Sequence, residues 1–345
     1  MHRSRTGKRI LVTGGAGYIG AHCCVALADA GFEPVVYDNF SNARRTTLDG
    51  IRRLAGRAVP VVEGDVLDTV ALRSALADGV GAVIHLAGLK AVGPSLADPL
   101  GYYRTNVGGT LALVDAMRDA QVRTLVFSSS AAVYGPPVSV PVAETAMRAP
   151  ANPYARTKAA AEDLLADLAA SDPEWRILAL RYFNPLGAHE SALIGEDSPH
   201  DAGNIMPWLL RAADGGASLS ILGEDYPTPD GTGVRDFVHV MDIAEGHVAA
   251  LRHLAGSGGF GVVNLGAGQG VSVLDLVIAF ERATGKTVSR RGAPRRAGDI
   301  AATWADIGLA RTLLGWQPRR DLETICLDAW RWHEASARRG NGVDG

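Results

Sequence analysis

Residues 11–20, LVTGGAGYIG, decide how the rest of the sequence is interpreted. Aliphatic and β-branched residues lead into Gly14, Gly17 and Gly20, which have GxxGxxG spacing, and an apolar segment of helical length follows. Such glycines let the backbone approach a phosphate group closely, and the helix that begins there offers free N–H donors and the positive end of its dipole. A tight strand-to-helix turn would also explain a glycine triplet alone, so a pyrophosphate-binding loop needs support from the remaining sequence.

Short β-branched segments recur along the first half of the chain, and Ala-rich segments of helical length and period separate them. These segments are RILVT, PVVYD, PVVEGD, AVIHLAG, RTLVFSSS and ILALRYF. Repeated alternation of strand and helix predicts a parallel sheet that is covered on both faces. Ligands of such sheets bind at the carboxyl ends of the strands, where this sequence places small, polar and glycine residues. We therefore predict an α/β fold with a Rossmann-type doubly wound parallel sheet.

The alternation ends near residue 185, where Gly-, Pro- and Asp-rich sequence such as GEDYPTPDGTGVRD becomes common. This change predicts a second, smaller mixed α/β domain that binds substrate. The later segments DFVHV and VVNLG again resemble strands and are expected to return to the first sheet, and residues 272–285 predict a helix with a capping box at Ser272. The predicted boundaries are 1–184 plus 236–266 for the first domain, 185–235 plus 267–338 for the second, and 339–345 for a frayed tail.

Composition excludes several classes of function. The 345 residues are 47% hydrophobic and 21% charged, as in soluble globular proteins, and the net charge of -3 gives no reason to expect nucleic acid or an anionic membrane as a partner. Three cysteines without disulfide or metal spacing indicate a reducing, cytoplasmic location, and neither a signal peptide nor an 18-residue apolar run is expected. The histidines His85, His189 and His239 lack metal-ligand spacing, so no metal is predicted.

The second predicted strand ends at Asp38, 18 residues beyond Gly20. A carboxylate at this position accepts hydrogen bonds from the adenosine ribose hydroxyls and repels a 2′-phosphate, so NAD is favoured over NADP as the cofactor. Arg44 and Arg45 follow closely enough to keep NADP open as an alternative, although surface charge explains them more simply. Asp65, at the end of the third strand, is suited to the adenine amino group.

Tyr154 and Lys158 lie four residues apart, one helical turn, after an Asn-Pro that predicts a helix start. A tyrosine acts as a base at neutral pH only when its phenolate is stabilised, and a nearby cation lowers its pKa. Alone, the pair could be an ordinary helix-surface pair. Ser130 ends a predicted strand at the same edge of the sheet and can share a hydrogen bond with Tyr154 and a reacting hydroxyl, so the three residues together predict a catalytic group.

With these motifs in place, the chain resembles the extended short-chain dehydrogenase/reductase family and, within it, the UDP-glucose 4-epimerases. The resemblance covers nearly the whole chain and is strongest in motifs outside the glycine loop. These motifs are HLAGLKAVGPS, NVGGT, VFSSSAAVYG, NPYARTK, LRYFNPLGAH, NIMPW, GTGVRDFVHVMDIAEGH and APRRAGDIAATWAD.

The resemblance implies two sets of binding residues. The cofactor set is expected to comprise Gly14, Gly17, Tyr18, Ile19, Gly20, Asp38, Asn39, Asp65, Val66, Leu86, Ala87, Lys90, Asn106, Tyr154, Lys158 and Tyr182. The UDP-sugar set is expected to comprise Lys90, Ser130, Tyr154, Asn184, Asn204, Ile205, Arg235, Arg296, Asp299 and Thr303. Arginine forks suit a diphosphate, and a carboxylate accepts from ribose hydroxyls. Each polar residue taken singly could equally be structural.

The resemblance also implies a reaction, in which NAD-dependent oxidation of the sugar at C4, rotation of the 4-keto sugar and re-reduction interconvert UDP-galactose and UDP-glucose. Ala131 and Ala132 replace the Asp-Glu pair of sugar 4,6-dehydratases, so dehydration is disfavoured. Thr303 stands where some relatives have a bulky tyrosine, which leaves acceptance of UDP-GlcNAc and UDP-GalNAc open.

Two other functions remain as alternatives, a 4-epimerase of another UDP-sugar (a uronic acid or a pentose) and a non-catalytic NAD-sensing regulator. The intact Tyr154 and Lys158 argue against the regulator. The resemblance further implies a homodimer through helices near 100–118 and 153–170, although an Ala-rich stripe could also pack within one subunit.

Overall fold

The structure is a computed structural model that describes residues 8–77, 79–197, 204–296 and 298–340. Its strands are β1 (Arg9–Thr13), β2 (Glu33–Asp38), β3 (Val61–Glu63), β4 (Val80–His85), β5 (Thr124–Ser130), β6 (Arg176–Tyr182), β7 (Asn184–Leu186), β8 (Leu219–Leu222), β9 (Val234–Arg235), β10 (Phe237–His239), β11 (Gly259–Leu265), β12 (Val271–Ser272) and β13 (Arg290–Ala293).

Helices lie between most pairs of consecutive strands. They are α1 (Tyr18–Asp29), α2 (Thr47–Ala55), α3 (Thr69–Leu76), α4 (Val92–Ala97), α5 (Pro99–Tyr102), α6 (Gly109–Asp119), α7 (Pro153–Ser171), α8 (Ile205–Ala213), α9 (Val240–Leu254), α10 (Val273–Thr284), α11 (Gly308–Leu314) and α12 (Leu322–Gly340). A π-helical segment, Tyr103–Gly108, joins α5 to α6, and a short 3₁₀ helix, Ala131–Tyr134, follows β5. None of the helices in the described ranges has the length and hydropathy that a membrane crossing requires.

Seven strands form one parallel sheet in the order β11-β6-β5-β4-β1-β2-β3. The order runs in opposite directions from β1 and β4, so the crevice above these two strands is the topological switch point at which ligands of such sheets bind. Thr13 of β1 lies beside Tyr37 on one side and His85 on the other, which aligns the carboxyl ends of the strands. This sheet confirms the predicted Rossmann-type fold.

Apolar side chains fill both faces of the sheet. Along β1, Ile10 and Val12 face one core with helices α1 and α9, while Leu11 between them faces the other core with α3, α6 and α7. All three are fully buried, as the continuous apolar sequence of a doubly covered strand requires. The two layers of helices leave the carboxyl edge of the sheet open to the loops that carry the candidate site.

Other segments from the second half of the chain form a smaller unit around another apolar core. Helices α8, α10 and α12 pack there, with Leu209, Phe280 and Ile325 among the buried side chains. The helix predicted over 272–285 is confirmed: Ser272 Oγ accepts a hydrogen bond from Asp275 N at 2.9 Å, and Gly285 ends α10 with φ of 68°. The exact domain boundaries stay a prediction.

The structure differs from the sequence-based expectations in three places. VVNLG joins the main sheet within β11, next to β6, but DFVHV does not: its strand β10 pairs with β7 in a separate two-stranded sheet, so that expectation was wrong. The helix expected near 100–118 is interrupted by the π-helical segment. In the expected tail, α12 continues through Gly340, and residues 341–345 lie outside the described residues.

Candidate active site

The glycine loop between β1 and α1 has the shape of a phosphate cradle. Gly14 has a φ of 70°, which favours glycine, and a Cβ on Gly20 would lie 2.1 Å from Gly14 O, so the first turn of α1 can pack on the loop only without one. At the N-cap, Gly17 has no side chain that could accept from the first N–H groups of the helix. Its first N–H groups are therefore available to an anion, and the loop fits the pyrophosphate of a dinucleotide.

Asp38 fixes this loop to the end of β2. Its Oδ2 accepts a hydrogen bond from Ala16 N at 2.9 Å, and its Oδ1 accepts one from Phe40 N at 2.8 Å. Burial raises the pKa of the Asp38 carboxyl, and the backbone hydrogen bonds oppose that shift. The two arginines that kept NADP open are both in ion pairs, Arg44 with Asp197 at 2.9 Å and Arg45 with Glu63 at 2.5 Å. Asp38 is thus a charged group in direct contact with the loop, which fits NAD.

The residues expected to contact the adenine lie at the ends of β2 and β3. Asn39 Nδ2 donates to Asp65 Oδ2 at 2.8 Å, and Asp65 Oδ1 accepts from Leu67 N at 2.9 Å. The Tyr37 hydroxyl also donates a hydrogen bond to Asp65 O at 2.7 Å. Val66, the next residue, is buried, so it can supply an apolar wall.

The loop after β4 carries Leu86, Ala87 and Lys90, and Asn106 holds it in place. Asn106 Oδ1 accepts from Leu89 N at 2.8 Å, while its Nδ2 donates to Leu89 O at 3.0 Å and to Thr157 Oγ1 at 2.9 Å. Asn106 therefore links this loop to α7, the helix of Tyr154 and Lys158. The residue lies in the π-helical segment.

Tyr154 and Lys158 lie in the first two turns of α7, and Asn152 sets where this helix begins. Asn152 Oδ1 accepts from Ala155 N at 2.9 Å, and Pro153 occupies the first helical position. Burial raises the pKa of Tyr154, and a hydrogen bond with Ser130 opposes the shift. The structure therefore brings Ser130 of β5 and the Tyr154 hydroxyl together, as the sequence predicted.

Lys158 is almost completely buried beneath Tyr154. Its Nζ donates to Ser128 O at 2.8 Å and lies 5.1 Å from the centroid of the Phe127 ring. Burial lowers the pKa of Lys158 to about 8, and the negative charge of Glu162 opposes the shift. A lysine held charged here can stabilise a phenolate on Tyr154, because both side chains are directed toward the end of β5.

The low pKa of Lys158 predicts a stability change. Below about pH 8 the Lys158 ammonium is charged in both the folded and the unfolded protein, and its desolvation destabilises the fold. Between about pH 8 and 10.5 the unfolded chain binds more protons than the folded one, so stability rises with pH. We expect Lys158→Met, in the protein without ligands, to raise the free energy of unfolding at pH 7 by about 1–3 kcal/mol, and the gain to vanish above pH ~10.5. Urea unfolding measures both, with exposed Lys8→Met as the control. A Lys158→Met protein less stable than the wild type at pH 7 would contradict the expectation.

A buried ion pair that lies next to the site was not predicted from the sequence. Glu162, one turn after Lys158 on α7, accepts from Arg181 Nε at 2.9 Å, from Arg181 Nη2 at 2.6 Å and from Ser129 Oγ at 2.5 Å. Arg148 adds a further contact to Glu162 at 3.3 Å. The sequence did contain a signal for Glu162, because Tyr154, Lys158 and Glu162 follow one another at intervals of one helical turn. This network fixes α7 against β5, the strand that ends at Ser130.

On the substrate side, three of the expected residues form one ionic cluster. Arg235 Nη2 donates to Asp299 Oδ1 at 2.7 Å, and Arg296 Nη2 lies 3.6 Å from the same oxygen. Thr303 N donates to Val234 O at 3.1 Å, which brings Thr303 beside this cluster. Two guanidinium groups that share one carboxylate keep donors free for a diphosphate.

The other expected substrate residues flank this cluster. Asn184 begins β7, and its N–H donates to Asp236 O at 3.0 Å. Ile205 opens α8, directly after Asn204, whose Nδ2 donates to Glu196 Oε1 at 2.5 Å. Their contacts with a substrate stay a prediction.

Two expected cofactor residues are engaged with the protein through their hydroxyls. Tyr18 donates to Gly187 O at 2.7 Å, and the Tyr182 hydroxyl lies 2.6 Å from His247 Nε2. Ile19, the neighbour of Tyr18 on α1, packs against the core. Any contact of the two tyrosines with a dinucleotide would therefore use their rings, their backbone or the remaining acceptor capacity of their hydroxyl oxygens.

The histidines considered in the sequence make hydrogen bonds within the protein. His85 contacts Thr13 Oγ1 at 2.7 Å and Thr110 Oγ1 at 3.1 Å, and burial lowers its pKa to about 3. His239 accepts from Met241 N at 3.0 Å, and His189 accepts from Ser191 N at 3.2 Å. Within the described ranges, no three His, Cys, Asp or Glu side chains cluster as metal ligands do.

Comparison with known proteins identifies the family. The model of the NAD dependent epimerase/dehydratase family matches residues 10–266. The UDP-glucose 4-epimerase of Yersinia pestis is 49% identical over 326 residues, which cover 94% of this chain and 96% of the relative.

Two solved structures are similar over nearly the whole chain. The UDP-glucose-4-epimerase of Stenotrophomonas maltophila, with bound NAD and formylated UDP-arabinopyranose, has a TM-score of 0.94 and 48% identity, and the match covers 96% of this chain and 99% of that one. The Bifidobacterium longum enzyme, in complex with NAD+ and UDP, has a TM-score of 0.92 and 40% identity, covering 97% and 100%. This protein therefore belongs to the NAD dependent epimerase/dehydratase family.

Proposed function

We propose that this protein is an NAD-dependent UDP-glucose 4-epimerase, which interconverts UDP-galactose and UDP-glucose. One observation carries the proposal: the Ser130 side chain lies near enough to the Tyr154 hydroxyl to lower its pKa, Lys158 lies one turn away on the same helix, and all three lie at the sheet edge that holds the glycine loop. Full-length similarity to UDP-glucose 4-epimerases supports the choice of substrate.

The residues divide the chemistry among them. Tyr154 takes the proton of the sugar 4-hydroxyl, Ser130 orients that hydroxyl, and Lys158 stabilises the phenolate. The glycine loop and Asp38 would hold NAD, whose nicotinamide would supply the acceptor for the C4 hydride and its later return. After the sugar has turned, the hydride would return to the opposite face of C4 while Tyr154 gives its proton back to the 4-keto oxygen, so the stereocentre is inverted.

Inversion requires the sugar to turn while the nucleotide stays bound. Arg235, Arg296 and Asp299 supply fixed charged groups for UDP, and the Arg235–Asp299 pair is mostly buried, so it is already oriented before binding. Ala131 and Ala132 follow Ser130 directly, and Thr303 bonds to the residue before Arg235, so the small side chains expected at the hexose end would leave room for rotation.

The proposed function is tested by incubating the purified protein with UDP-galactose, first without and then with added NAD, and separating the products by chromatography. UDP-glucose is the expected product, at equilibrium with the substrate. If UDP-galactose is not converted even with NAD, UDP-glucuronic acid and UDP-arabinopyranose test the other 4-epimerases. If none of these sugars is converted but NAD binds, the regulatory function replaces catalysis.

Thr303 predicts a wider substrate range. Its side chain is small and lies beside the Arg235 cluster, where a bulky group would meet the C2 substituent of the sugar. We expect the wild type to convert UDP-GalNAc as well as UDP-galactose, and Thr303→Tyr to lose UDP-GalNAc conversion at least ~10-fold while keeping UDP-galactose within ~3-fold. Thr303→Ser is the matched control. Equal loss of both sugars in Thr303→Tyr would contradict this role.

We also propose a cytoplasmic homodimer. Leu111 of α6 is 54% exposed, and together with Val114, Leu164 and Leu168 it lines an apolar groove between α6 and α7, which a second subunit can fill. The three cysteines are buried and unpaired, as in a reducing compartment. Light scattering of the wild type and of Leu111→Glu, which is expected to be monomeric, tests the dimer.

A further inference from the structure

Glu196 is a carboxylate without a role in the chemistry above, yet it lies between the two sets of binding residues. Its side chain is only 7% exposed, and its Oε1 accepts hydrogen bonds from Lys90 Nζ at 3.2 Å and from Asn204 Nδ2 at 2.5 Å. Lys90 comes from the loop after β4, and Asn204 directly precedes α8. One oxygen atom therefore joins the cofactor side of the crevice to the substrate side.

The position of Asn204 makes this contact more informative. Asparagine is among the preferred N-cap residues, because its side chain normally accepts from the first N–H groups of the helix. Asn204 is the N-cap of α8 but makes no such side-chain bond within the described chain. Its amide is turned to Glu196 instead, so the carboxylate determines where the Asn204 side chain is directed.

Glu196 also restrains a flexible lysine. The Lys90 side chain is 38% exposed, and ordering so long a side chain when a ligand binds costs entropy. An ammonium group has three donors, so Lys90 can remain bonded to Glu196 and still contact a phosphate. The other Glu196 oxygen, Oε2, is buried without a hydrogen-bond partner in the described ranges, so Lys90 and Asn204 are the neighbours that compensate this charge.

The segment that carries Glu196 is itself held firmly. A Cβ on Gly195 would lie 2.4 Å from Cδ2 of Trp332, so the backbone packs directly on that ring, and Asp197 pairs with Arg44 at 2.9 Å. The carboxylate can therefore act as a fixed reference for more mobile side chains.

We propose that Glu196 is a positioning residue that orients Lys90 and Asn204 together for the diphosphate of the UDP-sugar. The inference rests on the proposed function, because it assumes that UDP binds beside these two residues. Glu196 acts through hydrogen-bond geometry: Oε1 holds both donors before the ligand arrives.

The test is calorimetric titration of UDP into the purified protein with its cofactor bound, combined with kcat for UDP-galactose. We expect Glu196→Ala to weaken UDP binding about tenfold, the cost of misplacing one charge-assisted hydrogen bond, and to change kcat less than ~3-fold. Glu196→Gln keeps an acceptor at Oε1 and is expected to bind UDP within ~3-fold of the wild type. Glu190→Ala, an exposed carboxylate on the same segment, is the control.

A double-mutant cycle separates positioning from a general structural effect. In a Lys90→Met background, Glu196→Ala is expected to weaken UDP binding clearly less than tenfold, because one of the two side chains that Glu196 orients is already absent. Thermal unfolding of each variant checks that the fold is kept.

Several outcomes would overturn the inference. The first two are an unchanged UDP affinity in Glu196→Ala and an equal weakening of UDP binding in Glu196→Gln and Glu196→Ala. The others are full additivity of the effects of Glu196→Ala and Lys90→Met on UDP affinity, and a Glu196→Ala effect that is confined to kcat. If the wild type binds no UDP, both the proposed function and this inference are overturned. If the wild type converts UDP-galactose and Glu196→Ala binds UDP as tightly as the wild type, only the inference is overturned.

Discussion

Tyr154→Phe is expected to lower kcat for UDP-galactose about 10³-fold, within the range by which a positioned general acid–base accelerates a reaction. Phenylalanine fills the same space but cannot exchange a proton, and Ser130 loses its partner on α7. The affinity for UDP is expected to change little, since Arg235 and Asp299 are not disturbed. Chromatographic product analysis gives kcat, and calorimetry gives the UDP affinity.

The pKa of Tyr154 explains why the loss should be so large. Burial raises this pKa above its ordinary value in the protein alone, so the hydroxyl stays protonated until positive charge is close enough to draw the proton away. Lys158 supplies one such charge from within the protein. Tyr103→Phe, on the partly exposed π-helical segment, is the matched control and should retain its activity. More than a tenth of the wild-type kcat in Tyr154→Phe would exclude Tyr154 as the acid–base.

Gly20→Ala is expected to destabilise the fold by about 3 kcal/mol and to abolish measurable NAD binding. The added methyl carbon would lie 2.1 Å from Gly14 O and 2.8 Å from Gly15 Cα, and both neighbours are backbone atoms, which no side-chain rotation can move away. The first turn of α1 must therefore shift away from the loop, and its N–H groups leave the position that suits a phosphate. Urea unfolding measures the stability, and titration with NAD measures the binding.

A second glycine separates this clash from the general effect of replacing glycine. Gly256 has ordinary backbone angles, and a Cβ there would meet only His253 O at 4.0 Å. Gly256→Ala is expected to keep stability within ~1 kcal/mol of the wild type and to bind NAD normally. If the two alanine variants have equal stability, the close approach at Gly20 is not what shapes the loop.

Residues near the sheet edge were predictable because local sequence determines them. A strand that ends in TGGAGYIG must turn tightly into a helix, and the Asn-Pro before Tyr154 sets the phase of α7, so the predicted contact of Ser130 with Tyr154 followed from two element boundaries. Glu196 could not be predicted in this way. Its partners Lys90 and Asn204 are 106 and 8 residues away, and only the folded chain brings them to one oxygen.

The wrong and incomplete predictions share a physical cause. The segment DFVHV has strand character, but a strand can pair only with a sheet edge that is open. In the main sheet the edge of β6 is occupied by β11, so β10 pairs with β7 instead. The π-helical segment at Tyr103–Gly108 likewise reflects tertiary contacts, since Asn106 within it is bonded to Leu89 and Thr157. Local propensity determines neither feature.

The place of β11 in the sheet has a consequence for synthesis on the ribosome. The strand ends at Leu265 of 345 residues, whereas its neighbour β6 is complete at Tyr182. While the intervening residues are translated, β6 is the last strand of an unfinished sheet, with unpaired N–H and C=O groups open to another chain. A ribosome stalled between these points would leave this edge of β6 exposed on the nascent chain, and such an edge is prone to aggregate.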